Sequence, residues 1–157
     1  MVAMAAALPA VTSMRALHCG FNPAVGQAGW VALGQALPQL PTLQELDLWG
    51  CAGMGDDGVA VLAPALPRAV SLHQLTLSGC NIGDVGALAL AAVLSDCIAL
   101  VGTLRVELHP HIMGSDLAKV VLHDNLYGAT GRAALDAGCH PGNYTVIEHE
   151  GYISDDY

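Results

Sequence analysis

A chain of 157 residues, 54% of them hydrophobic and only 12% charged, carries ample material for one buried core. Five basic against fourteen acidic residues give a net charge of −9, which excludes the concentrated positive field that a nucleic-acid groove or an anionic membrane surface needs and favours basic partners. The charge is uneven: Arg15 is the sole charged side chain from Met1 to Thr42, whereas Asp136 to Tyr157 holds five acids and no Lys or Arg.

The opening MVAMAAALPAVTSM lacks the basic start of a signal peptide, and its apolar run stops at Pro9. Met4, Leu8 and Pro9 stand 29 residues before Leu33, Leu37 and Pro38, which stand 29 before Leu62, Leu66 and Pro67. Residues 1–13 therefore read as the helical half of a repeat unit. No apolar stretch is long and uninterrupted enough for a convincing membrane span, so membrane insertion is not expected.

The other half of the unit recurs as a frame: Met14-x-x-Leu17-x-Cys19-x-x-Asn22, Leu43-x-x-Leu46-x-Leu48-x-x-Cys51, and Leu72-x-x-Leu75-x-Leu77-x-x-Cys80. Alternation about its centre predicts a short strand. Each frame is followed by a helical stretch with apolar residues four apart: Gly29 to Leu33 and then Leu37, Gly58 to Leu62 and then Leu66, Gly86 to Leu90 and then Leu94. Regular repeats accordingly cover 14–42, 43–71 and 72–100. A unit of this length buries its apolar face only against a neighbour, so the expectation is one domain over 1–157, built as a stack with extended surfaces.

Past residue 97 the pattern weakens. Val101, Leu104, Val106 and His109 keep the 29-residue register, yet a new frame, Leu117-x-x-Val120-x-Leu122-x-x-Asn125, begins only 16 residues after Val101. Residues 101–116 are either a degenerate unit without its helix or an insertion, and Pro110 and Gly114 favour an irregular strand plus loop. A further repeat spans 117–142, continued by Gly131 and Leu135. Residues 143–157 read as a C-terminal cap strand with an acidic tail.

These residues resemble the leucine-rich repeats of the ribonuclease-inhibitor type over most of residues 2–97. Cys51 and Cys80, with Asp56, Asp84 and the glycines at 58 and 86, also resemble the cysteine-containing subclass. The resemblance implies an α/β fold: a right-handed leucine-rich-repeat solenoid forming a short horseshoe arc, parallel strands on the concave face, helices on the convex face, and an Asn or Cys column bonding successive turns. Such a fold hosts many functions and names none by itself.

Motifs for chemistry are weak. The five cysteines form no C-x-x-C pair, and three fall on frame positions expected to be buried small hydrophobes in a reducing compartment. His109 and His111, with His123 and Asp124 in the next frame, supply zinc-type ligands, but polar residues on a turn beside a proline are the commoner reading. The glycines of Gly50 to Gly55 are in the wrong order for a dinucleotide fingerprint and fall where the repeat turns. With no nucleophile–base motif present, neither catalysis nor a cofactor is expected.

Binding is therefore the expected function. Strand positions pointing away from the core are His18, Asp47, Thr76 and Arg105 in one column, Gly20, Trp49, Ser78 and Glu107 in the next, and Glu45, Gln74 and Thr103 in a flanking one. Trp49 is either a binding hot spot or a packing partner of Phe21 one repeat away. Trp30, equivalent to Val59, Ala87 and Arg132, is expected to be partly exposed because its position accepts arginine. With Val31 it offers a convex docking point, and the nearly uncharged N-terminal end is expected to contact a neighbouring subunit. The sum is a non-catalytic protein-protein interaction module, intracellular and most simply cytoplasmic, a structural subunit or scaffold of a larger assembly, organellar and cytoskeletal ones included. The alternatives are a substrate-adaptor fragment of a ubiquitin-ligase complex and, more remotely, a metal-dependent enzyme using the His109-His111 loop.

Overall fold

The computed structural model describes residues 1–11, 13–94, 96–97, 119–121 and 125–138. Four short parallel strands form one sheet in chain order: β1 (Ala16–His18), β2 (Glu45–Asp47), β3 (Gln74–Thr76) and β4 (Lys119–Val121). Leu17 is level with Leu46, Leu46 with Leu75, and Leu75 with Val120. The frames of the sequence thus set the register. Main-chain pairing continues beyond the strands, with the amides of Cys19 and Phe21 donating to the carbonyls of Asp47 and Trp49, and those of Leu48 and Gly50 to Thr76 and Ser78.

Helices form the second layer: α1 (Val2–Ala7), α2 (Gln27–Ala36), α3 (Gly55–Leu62), α4 (Asp84–Leu94) and α5 (Ala129–Gly138), each packed on the next. Their buried residues fall three or four apart, as in Trp30, Leu33 and Leu37, or Val59, Leu62 and Leu66. Pro9, Pro38 and Pro67 lie in 3-10 turns that follow α1, α2 and α3. A proline has no N–H to extend the α-helical ladder, which makes it a natural place for the chain to tighten and turn back to the sheet. The core between the layers is nearly all aliphatic, and each fully buried leucine stabilises the fold by roughly 1.5–3 kcal/mol relative to exposure.

Two columns tie one repeat to the next. In the first, the Cys51 thiol donates to the carbonyl of Cys19 at 3.4 Å, the Cys80 thiol to that of Leu48 at 3.2 Å, and Asn125 Nδ2 to that of Leu77 at 2.8 Å. Asn125 Oδ1 also accepts the amides of Cys80 and Ile82. The second column is carboxylate to helix. Oδ1 of Asp56 accepts the amides of Gly83 and Gly86 at the start of α4, and Oδ1 of Asp84 those of Gly128 and Gly131 at the start of α5. Amides in the first turn have no partner within their own helix, so each acid caps the helix of the following repeat.

The place beside Thr76, where the 29-residue register puts Arg105, is held by Val121 of β4. The fourth rung of the sheet is therefore the frame that starts at Leu117. Residues 101–116 and 143–157, with the calls made on them, lie outside the described residues.

Candidate functional site

Alternation in the strands divides the site residues from the core. Leu46 and Leu48 are fully buried, while Glu45, Asp47 and Trp49 between them are half-exposed on the other side of the sheet. His18 lies level with Asp47 and Thr76, and Glu45 with Gln74, so His18, Glu45, Asp47, Trp49, Gln74 and Thr76 share one face. On it the His18 Nε2 and Glu45 Oε2 are 3.7 Å apart, and Asp47 Oδ1 accepts the Trp49 amide at 2.9 Å. That last bond closes a short Asx-type turn, which fixes where the strand ends and the indole begins.

Ser78 departs from expectation. It is fully buried, and its hydroxyl has no partner among the described residues. Trp49 Nε1 comes within 3.9 Å of where a Cβ on Gly79, the next residue, would stand, so the indole reaches the rung that holds Ser78. Glu107 and Arg105, placed in these columns by the sequence, lie outside the described residues.

At the rim of the face stands an aromatic pair. The rings of Phe21 and Trp49 meet edge to face with centroids 4.3 Å apart and an interplanar angle of 68°. Phe21 nevertheless remains 66% exposed. Its backbone is left-handed, with φ +55°, at the position that Gly50 (φ +69°) and Gly79 (φ +64°) occupy in the next two repeats. The glycines adopt that conformation at little cost, whereas a side chain bearing Cβ is disfavoured there by about 1–2 kcal/mol. An edge-to-face contact contributes about 0.5–1.5 kcal/mol beyond burial, so the pair roughly cancels its own strain. Stability alone gives no reason for a phenylalanine here. The signal was available in the sequence, since the 29-residue register aligns Phe21 with two glycines.

Trp30 also departs from expectation. It is 1% exposed, as its equivalents Val59 and Ala87 are also buried, and a Cβ on Gly58 would stand 3.1 Å from its Cδ1. The following helix covers this position in each repeat. Arg132 misled because α5 is the last described helix; its guanidinium reaches Asp136 at 3.3 Å on the same helix. Val31 is 37% exposed and stays available.

The N-terminal edge carries a shallow cleft of ≈ 410 Å³ bordered by Met1, Val2, Phe21, Pro23 and Val25. Phe21 thus belongs to both the sheet face and this edge.

Little here favours chemistry. Burial pushes the Cys19 and Cys51 thiols up and takes that of Cys80 to about 12, so all three are protonated and unreactive at neutral pH. Among the described residues no three His, Cys, Asp or Glu side chains cluster to hold a metal ion, and His109, His111 and His123 lie outside them. No described helix is long and apolar enough to cross a membrane.

Comparison with known proteins agrees with the repeat geometry. The model of the family described as Leucine Rich repeat matches residues 39–63 and 69–91. No curated protein matches the chain. Among solved structures, actin-binding site 2 of leiomodin-1 superposes with a TM-score of 0.55 at 17% identity, covering 85% of this chain and 86% of that one. Identity that low carries the likeness of fold and nothing further.

Proposed function

The chain is a leucine-rich-repeat protein, and from that premise we propose that it is a non-catalytic module whose sheet face binds another protein as part of a larger assembly. The observation that carries this reading is the solvent-facing row of His18, which is exposed, and Glu45, Asp47, Trp49, Gln74 and Thr76, which are half-exposed, held on a parallel ladder and backed by a largely aliphatic core. A rigid face loses little conformational entropy when a partner docks, which is what makes such surfaces effective binders. Buried thiols without disulfides at Cys19, Cys51 and Cys80 suit a reducing, intracellular setting.

A second contact is supported by the N-terminal edge. Val2, 52% exposed, borders the cleft there, and from Met1 to Thr42 the chain has one charged residue. We assign this edge to a neighbouring subunit.

The deciding experiment installs a photo-crosslinking amino acid at Thr76 on the sheet face or at Ala60, which is exposed on α3. A discrete protein adduct from Thr76, absent from Ala60 and lost on Asp47→Lys, supports the reading. Equal labelling from both positions would overturn it. Because the similar leiomodin-1 structure is an actin-binding site, purified actin is the first partner to try.

A further inference from the structure

We propose that the Phe21–Trp49 rim, together with Glu45 and Asp47, is a receptor for an arginine side chain in a basic segment of the protein partner. The inference rests on the protein-binding reading above and names the chemistry of what binds.

Three features lie along one stretch of the sheet face and its rim. The first is conformational. Phe21 holds a left-handed backbone, φ +55°, that the two following repeats give to Gly50 and Gly79. A bulky residue in that region is an outlier, and such strain concentrates where it positions a side chain for use. Here it sets a phenyl ring 66% exposed beside the strand end instead of burying it.

The second feature is the pairing. Trp49 meets Phe21 edge to face at 4.3 Å and 68°, so two ring faces at a steep angle form the walls of a corner. Asp47 Oδ1, by holding the Trp49 amide at 2.9 Å, fixes the main chain from which the indole projects. Ring faces are the negative pole of an aromatic quadrupole, and they attract a cation brought within about 6 Å of the centroid.

Charge is the third. Glu45 and Asp47 alternate along β2 and Trp49 follows two residues after its end, so both carboxylates lie on the face that the rings border, with Glu45 Oε2 3.7 Å from His18 Nε2. The chain as a whole carries −9, and the described residues between Met1 and Thr42 add only Arg15 to offset it. An apolar partner would gain from the rings but would have to cover two carboxylates. An acidic partner would be repelled. A cation gains from both, and among cations arginine has the planar guanidinium that stacks on a ring while its N–H groups reach a carboxylate. Lysine, a compact and strongly hydrated charge, fits the corner less well.

The test is titration of the ¹⁵N-labelled full chain with three nine-residue peptides, identical except for three arginines, three lysines or three glutamates in a Gly/Ser background. The chain contains two tryptophans, so its spectrum has two indole N–H signals, assigned through Trp49→Phe. The arginine peptide is expected to shift the Trp49 indole and leave the buried Trp30 indole in place. It should bind about fivefold tighter than the lysine peptide, and the glutamate peptide should have no effect. Phe21→Asn, which tolerates a left-handed backbone, should weaken arginine-peptide binding by about fivefold without lowering the melting temperature. Phe21→Gly, the residue of the next two repeats, serves if the first variant folds poorly.

Equal binding of arginine and lysine peptides, insensitive to Phe21→Asn, would overturn the proposal in favour of a merely acidic surface. A silent Trp49 indole beside a persistent Thr76 adduct would remove the arginine site and leave the protein-binding reading standing. An intact indole response without any Thr76 adduct would remove the sheet face as the partner's seat and keep the arginine site.

Discussion

Oδ1 of Asp56 lies 2.7 Å from the amide nitrogen of Gly83 and 2.9 Å from that of Gly86, so an acid in the first turn of α3 caps the helix of the next repeat. A local cap stabilises its own helix, whereas this one also joins two units. Asp56→Ala should therefore lower stability by about 1–2 kcal/mol, the upper part of the range for lost caps, and Asp84→Ala by a similar amount. Denaturant midpoints at constant slope check both.

Glycines at the turns divide sharply by what surrounds them. A Cβ on Gly53 would collide with the Pro23 carbonyl, a main-chain atom that cannot swing aside. Gly53→Ala is expected to cost about 1–3 kcal/mol. Nothing lies within 4 Å of a Cβ on Gly26, the N-cap of α2, and its φ is −87°. Gly26→Ser should leave stability within about 0.5 kcal/mol of the parent. Thermal melts of the two variants side by side give the contrast.

Trp30 and Val31 are adjacent but answer different questions. Trp30→Asp puts a charge where an indole is enclosed and its Nε1 already lacks a partner among the described residues, so a loss of at least about 3–5 kcal/mol is expected. Val31→Asp should keep the helical circular dichroism signal and the melting temperature. Light scattering of Val31→Asp then tests docking on that side: unchanged association would remove Val31 from the interface.

Thiol protonation links to pH. Burial pushes the Cys80 thiol well above the usual cysteine range, to about 12, and raises Cys19 and Cys51 in the same direction. The folded state thus holds protons that the unfolded chain releases above pH 9, and stability is fully present below that pH. It should fall as pH rises from 9 towards 12, with a slope approaching 1.4 kcal/mol per pH unit from Cys80, about the free energy of one pKa unit, and with Cys19 and Cys51 adding in the same direction. Urea midpoints of the parent and Cys80→Ser at pH 8 and 10 check it, the variant showing the smaller drop. Native protein at pH 8 should resist iodoacetamide at all three positions.

The sequence made the ladder legible because alternation and period act together. Leu17, Leu46, Leu75 and Val120 came out level, and the Cys51, Cys80 and Asn125 column bonds successive units. Asp56 and Asp84 were visible as a pattern, yet their reach to the next helix was not, since a capping partner 27 or 44 residues away leaves no local signature. Trp30 was misplaced because Arg132 sits where no described helix follows. Ser78 is fully buried although alternation puts it on the open face, because alternation gives the side a residue faces and not its burial there. The corner at Phe21 and Trp49 is half legible: the aromatics and acids can be read, whereas their meeting at 4.3 Å depends on a main-chain twist that residue type argues against.

The fourth rung closes a longer excursion of the chain than those before it. Asn125 bonds Cys80 across 45 positions, against 29 for Asn81 and Ala52, and the entropy of closing the longer loop adds roughly 0.4 kcal/mol to the difficulty of forming that rung. Since each unit in such a stack leans chiefly on its neighbours, this small handicap is local and sets an order of events. Folding should begin among the first three rungs and recruit the fourth last. Native-state hydrogen exchange should accordingly show the amides of Cys80 and Ile82, held by Asn125, opening before those of Leu48 and Gly50.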